Sequence, residues 1–152
     1  MANIDQAFGL RPIAKVGSAP GGTTGTTKYS IASGASGIFT GDPVKQANDG
    51  TVVVATAGDA IRGVFMGCFY TDPSTDKPRF NNTFPNGSGS TTTGISGVEI
   101  DSSSKNTTAA LQVKLMDFYD VPSNDATANN SIFVVKINNH ELNGGTGTTG
   151  SS

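Results

Sequence analysis

The chain has 152 residues, enough for one domain with a real core and too few for two large ones. Hydrophobic residues make up 35% and charged residues only 14%, with a formal net charge of -2 and 20 glycines set among runs of Thr, Ser and Asn. No Lys/Arg run suits a phosphate backbone, no stretch approaches the roughly 20 apolar residues of a membrane span, and the single Cys68 rules out an internal disulfide framework, so the expected partners include neither nucleic acid nor membrane. Low hydrophobicity with almost no net charge points to a modest folded β core with long neutral loops, because a disordered chain usually pairs low hydrophobicity with high charge.

In chain order, residues 1–16 read as an extended N-terminal arm with Phe8, Leu10 and Ile13 as apolar points, either reaching along a neighbouring subunit or folded back on its own barrel; Pro12 holds itself and Arg11 extended. Its opening residues lack the basic-then-apolar pattern of a secretory leader. Residues 17–26 are a flexible Gly/Thr linker by composition. A β domain spans 27–142. Its first strands are expected at 27–31, at Ile38 and Phe39, and at 44–46, with Gly41-Asp42-Pro43 as a turn. Asp49-Gly50 marks a hairpin turn into a β-branched run over 51–55. Residues 60–70 alternate with both faces largely apolar, which predicts a central strand, and Gly63 and Gly67 within it call for a bulge or the close approach of an aromatic ring.

Residues 72–94 are polar and rich in Pro, Gly, Ser and Thr, with Phe80 and Phe84 inside; they read as an excursion pinned by those two rings or as a functional loop. Strands are expected at 95–100, 110–119 and 131–137, the last two joined by a connection too long for a tight turn. Residues 143–152 form a second flexible Gly/Thr tail. Short strands, frequent turns and no convincing helix predict an all-β fold: a single small antiparallel barrel or sandwich with an extended N-terminal arm and a flexible C-terminal tail.

Little in the chain suggests catalysis. The one histidine, His140, stands beside Glu141 with no nucleophile motif, and a lone His makes no metal cluster, so it reads as a surface or interface residue. Asp117, Asp120 and Asp125 lie close in sequence but do not match a calcium loop and read as turn residues. Four Asn-x-Ser/Thr matches are expected by chance in so Asn- and Thr-rich a chain. The expectation is a protein that is not an enzyme, with no cofactor and no metal site.

Three stretches carry a resemblance. They are Met1-Ala2-Asn3-Ile4-Asp5-Gln6-Ala7-Phe8-Gly9-Leu10-Arg11-Pro12; then Ile38-Phe39-Thr40-Gly41-Asp42-Pro43-Val44-Lys45 with Asp49-Gly50-Thr51 and Gly58-Asp59-Ala60-Ile61-Arg62-Gly63-Val64-Phe65; and Phe133-Val134-Val135-Lys136-Ile137-Asn138-Asn139-His140-Glu141-Leu142. Together they resemble head decoration (capsid cement) proteins of tailed phages, marine podoviruses among them. The resemblance implies a virion protein on the outer capsid surface, made in the host cytoplasm, clamping neighbouring subunits of the major capsid protein and pairing with itself as a homotrimer. Residue type assigns the capsid contact to the arm: Phe8, Leu10 and Ile13 as apolar anchors and Arg11 as a polar one. A phage tail or fibre subunit, and a carbohydrate- or surface-binding β module using the 72–94 loop, are the competing readings.

Overall fold

The structure is a computed structural model that describes residues 3–13, 25–84 and 92–143. Most of the 17–26 linker and the 143–152 tail lie outside the described residues, as do both ends of the arm and residues 85–91. The described chain is all-β: nine short strands, two 3-10 turns and no α-helix. The strands are β1 (Ile38–Phe39), β2 (Pro43–Gln46), β3 (Val52–Val54), β4 (Gly63–Val64), β5 (Cys68–Thr71), β6 (Pro78–Asn81), β7 (Thr83–Phe84), β8 (Val113–Phe118) and β9 (Phe133–Ile137). They form four small sheets, ordered β1-β7, β3-β2-β4, β5-β6 and β8-β9, and none of them closes into a barrel.

The chain divides into two compact units. One comprises Phe8–Ala55 and Arg62–Glu99; the other comprises Met1–Ala7, Thr56–Ile61 and Ile100–Ser152. The first holds a core cluster of Ile38, Val44 and Phe65, with Ile31, Val54, Cys68 and Phe84 packed against it. The β2–β3 hairpin forms as its turn chemistry demands: Asp49 Oδ1 accepts from the Thr51 amide at 3.0 Å, and the Ala47 amide donates to the Thr51 carbonyl at 2.7 Å. Pro43, which cannot donate to a ladder, sits at the first position of β2, where no rung is lost.

The 60–70 segment departs from the expected central strand. It breaks into β4 and β5, and β5 pairs with β6 alone, in a two-stranded hairpin that leaves Phe69 and Tyr70 exposed. The break lies at Gly67. Its φ of +133° is closed to most side chains, and the Phe80 ring of β6 occupies the place of any Cβ there. An aromatic does approach a glycine of this segment, but from the neighbouring hairpin strand rather than from another layer. The 72–84 part of the polar excursion is ordered. Phe80 pairs with Phe69, ring centroids 5.0 Å apart, and Phe84 packs on the core cluster as β7 joins β1.

In the other unit β8 and β9 pair antiparallel across the long connection, with a bulge between Leu115 and Asp117. Register places Val113, Leu115, Phe118, Phe133, Val135 and Ile137 on one face, and Lys114, Asp117, Val134 and Lys136 on the other. The connection is closed by the Tyr119 amide, which donates to the Ile132 carbonyl at 3.2 Å, and by side-chain bonds added to that rung. Buried Asn124 donates from Nδ2 to the carbonyls of Tyr119 (2.8 Å) and Ile132 (2.9 Å), and its Oδ1 accepts from the Ile132 amide (2.9 Å). Asn124 thus adds to the backbone rung between Tyr119 and Ile132. Asn124→Ala leaves the Tyr119 carbonyl and the Ile132 amide without this partner and is expected to cost about 2 kcal/mol and to speed exchange of the Ile132 amide, read by hydrogen-exchange NMR against a denaturant melt.

Candidate functional site

The Gly41-Asp42-Pro43 turn organises the first unit. Asp42 is 5% exposed, so its carboxylate needs partners, and it has two: the Phe39 amide donates to Oδ2 at 2.8 Å and the Ser96 hydroxyl donates to Oδ1. Ser96, 1% exposed, also accepts from the Val98 amide at 3.0 Å. Backbone bonds run outward from the same turn. The Gly41 amide donates to the Phe65 carbonyl (3.0 Å), the Phe65 amide to the Asp42 carbonyl (2.9 Å), and the Ser96 amide to the Thr40 carbonyl (2.9 Å).

The arm docks on this turn. The Leu10 amide donates to the Gly41 carbonyl at 2.8 Å and the Gly9 amide to the Val98 carbonyl at 3.2 Å. The approach requires two glycines. A Cβ on Gly9 would lie 2.5 Å from the Gly41 oxygen, and one on Gly41 would lie 2.5 Å from the Phe8 oxygen. In the other unit Asn3 is bonded equally firmly: its Nδ2 donates to the carbonyls of Asp125 and Asn129 at 2.9 Å, and its Oδ1 accepts from the Asp125 amide at 2.7 Å. Asn3, Gly9 and Leu10 are therefore bound to the body of their own chain.

Beside the docked arm lies a groove of about 350 Å³, lined by Phe8, Leu10, Arg11 and Pro12 from the arm and by Thr40, Gly41, Met66 and Ile95 from the body. Three of the four residues assigned to the capsid contact, Phe8, Leu10 and Arg11, meet there. The fourth, Ile13, is 63% exposed and lies outside the lining. The Arg11 guanidinium stands 4.9 Å from the centre of the Phe8 ring. Sequence reading missed Met66 and Ile95 as lining residues and Ser96 as the partner of Asp42. Met66 sits in the segment expected to form an unbroken strand, and Ser96 is 54 positions from the carboxylate it serves.

The remaining polar candidates are local structure. His140 Nδ1 accepts from the Leu142 amide at 3.0 Å, and the backbone on either side of it is strapped to Ile61 by the Ile61 amide on the Asn139 carbonyl (2.8 Å) and the Glu141 amide on the Ile61 carbonyl (3.2 Å). Asp125 caps Thr127, whose hydroxyl and amide hold its carboxyl below the ordinary value, and Asp117 accepts from the Phe118 amide. Among the described residues no group of three or more His, Cys, Asp or Glu is placed to hold a metal ion. Burial pushes the Cys68 thiol up, and its S–H donates to the Thr83 carbonyl at 3.6 Å. Cys68 is therefore expected to react with maleimide at pH 7 at least about tenfold more slowly than free cysteine, to speed up as rising pH forms thiolate, and to react at the free rate in denaturant.

Apolar surface is abundant outside the groove. Among the described residues seven apolar side chains are buried, whereas Phe69, Tyr70 and Phe80 on the β5–β6 hairpin and Leu115, Met116 and Phe133 on the β8–β9 ribbon are exposed. Two-stranded hairpins are marginal in water without further packing, so such ribbons are the parts of a chain that gain most from a neighbour. The Phe69 and Phe80 rings are tilted by 56°, and Lys28 Nζ stands 5.5 Å from the centre of the Phe69 ring, so the pair offers no coplanar platform of the kind that stacks on sugars. No known protein family, curated protein or solved structure matches the chain.

Proposed function

We infer that the chain is a non-catalytic assembly protein, a capsid decoration protein that binds the outside of a mature tailed-phage head and clamps neighbouring subunits of the major capsid protein. The observation that carries the assembly part is the distribution of apolar side chains: few are buried, while two ribbons expose apolar side chains and a groove is lined by them. The capsid part rests on the three resembling stretches. In this reading the open sheets are completed by neighbours, and the barrel or sandwich expected of the chain, like its homotrimer, belongs to the assembled state. A protein that binds only the expanded shell adds its binding free energy to that state, and many copies per particle multiply weak contacts into firm attachment.

The arm has two jobs in this reading. Gly9 and Leu10 hold to the body, while Arg11 and Ile13, both exposed, face outward. Removing residues 1–16 would therefore take away internal bonds together with any attachment, so point substitutions on the outer residues separate the two. The deciding experiment is cryo-electron microscopy of the virion whose genome encodes the chain. Density for it bridging major-capsid subunits on the outer shell supports the reading. Density on the tail, or none on the particle, overturns it.

A further inference from the structure

The groove beside the arm has a chemistry that specifies its occupant. Its walls are apolar, from Leu10, Pro12, Met66 and Ile95, and its one charged lining residue is Arg11. Among the described residues no carboxylate pairs with that guanidinium; its contact is the Phe8 ring. A guanidinium held over a ring face keeps N–H donors at its edge, in the fork geometry that fits a carboxylate with two parallel hydrogen bonds. Around Thr40 and Gly41 the backbone of the groove is already engaged. The Gly41 carbonyl already accepts from Leu10, the Thr40 amide donates to the Gly94 carbonyl at 3.0 Å, and Pro12 has no N–H. The one charged group the lining offers an occupant is Arg11, and it selects negative charge.

We propose that the groove takes an extended acidic–apolar segment of the partner protein, seating an aliphatic side chain against Leu10, Met66 and Ile95 while a neighbouring carboxylate binds Arg11. The volume, about 350 Å³, lies at the lower end of the range of ligand pockets and suits one or two side chains rather than a folded element. A basic segment is disfavoured because it would set like charge against Arg11. The proposal rests on the attachment reading only for the identity of the partner, which becomes an exposed acidic stretch of the major capsid protein.

Two measurements on the full chain test it. In the first, methyl-labelled protein is titrated with a blocked peptide alternating leucine with aspartate and with its leucine–asparagine counterpart. Saturable shifts at Leu10, Met66 and Ile95, with affinity about tenfold weaker for the asparagine peptide and for Arg11→Gln, support the proposal. Equal affinity for the two peptides, shifts located elsewhere, or no saturation overturns it. In the second, wild type and Arg11→Glu are added to expanded shells of the major capsid protein encoded in the same genome. Decoration by wild type with at least tenfold loss in Arg11→Glu supports the groove contact. Equal decoration by both overturns it and leaves the cement reading standing. Failure of wild type to decorate overturns the cement reading, and the peptide titration then decides the groove by itself.

Discussion

Asp42→Ala lowers the stability of the chain by about 3 kcal/mol, a fall in melting temperature of roughly 10 °C for a chain of this size. The carboxylate accepts from the Phe39 amide and from the Ser96 hydroxyl at a position 5% exposed. Alanine leaves both donors buried without a partner, and each such orphan costs about 1–3 kcal/mol because water cannot reach it. Asp42→Asn separates shape from hydrogen bonding. Its one oxygen serves the Phe39 amide, while its NH₂ turns toward a Ser96 oxygen that already accepts from Val98. The asparagine variant is expected between the two, about 1–2 kcal/mol below wild type. Urea melts of the three proteins check the order. An alanine variant within 0.5 kcal/mol of wild type, measured against the usual ~1 kcal/mol of a net hydrogen bond, would show that the carboxylate does not hold this turn together.

The second large effect belongs to Gly41→Ala, again about 3 kcal/mol. The glycine has φ +101°, outside the range of ordinary side chains, so alanine is strained whatever space surrounds it. Space is also lacking, because a Cβ would meet the Phe8 carbonyl oxygen at 2.5 Å, and a backbone atom cannot swing aside as the end of a long side chain can. Relief requires either undocking the arm or breaking the Gly41–Phe65 pairing. Gly9→Ala makes the useful comparison. Its Cβ would meet the Gly41 oxygen from the other side, at 2.5 Å, with φ +67°, but Gly9 makes no bond to Phe65. Gly9→Ala is expected to expose the Leu10 amide to exchange and leave Phe65 protected, whereas Gly41→Ala exposes both. Hydrogen-exchange NMR reads the two amides separately. Protection of Leu10 unchanged in both variants would mean that the arm does not depend on this close approach.

In the proposed function the arm acts through this docking. A segment bonded to its own body by Leu10 and Gly9 presents Arg11 and Pro12 as one wall of a preformed groove. Binding to a preformed groove spares the ordering entropy that a free arm would lose on attachment. The substitutions at Gly9 and Gly41 therefore bear on more than stability: a variant that undocks the arm dismantles the groove and should weaken attachment even with Arg11 intact.

The parts of this protein legible in its sequence are those governed by residues close together in the chain. Asp49-Gly50 announced a hairpin because a carboxylate two residues before Thr51 and a glycine free to take positive φ set the turn locally. The absence of any apolar stripe at helical spacing, with β-branched runs at 51–55 and 133–137, announced an all-β chain, since side-chain alternation is a local property of the backbone. The residue types of Phe8, Leu10 and Arg11 gave the expectation of a contact arm, and the structure adds that all three line one groove. What the tertiary structure alone decided depends on contacts across many positions. Residues 60–70 alternate like one strand, but the Phe80 ring on Gly67 divides them, and no pattern within the segment encodes a ring from 13 positions further on. Asp42 reads as an ordinary turn aspartate until Ser96 buries it. Asn3 reads as a polar residue in a loose arm until the loop at Asp125, 122 positions away, gives it a donor and two acceptors. Burial, ring contact and hydrogen-bond partnership are properties of the folded neighbourhood, which the local alternation of side chains does not encode.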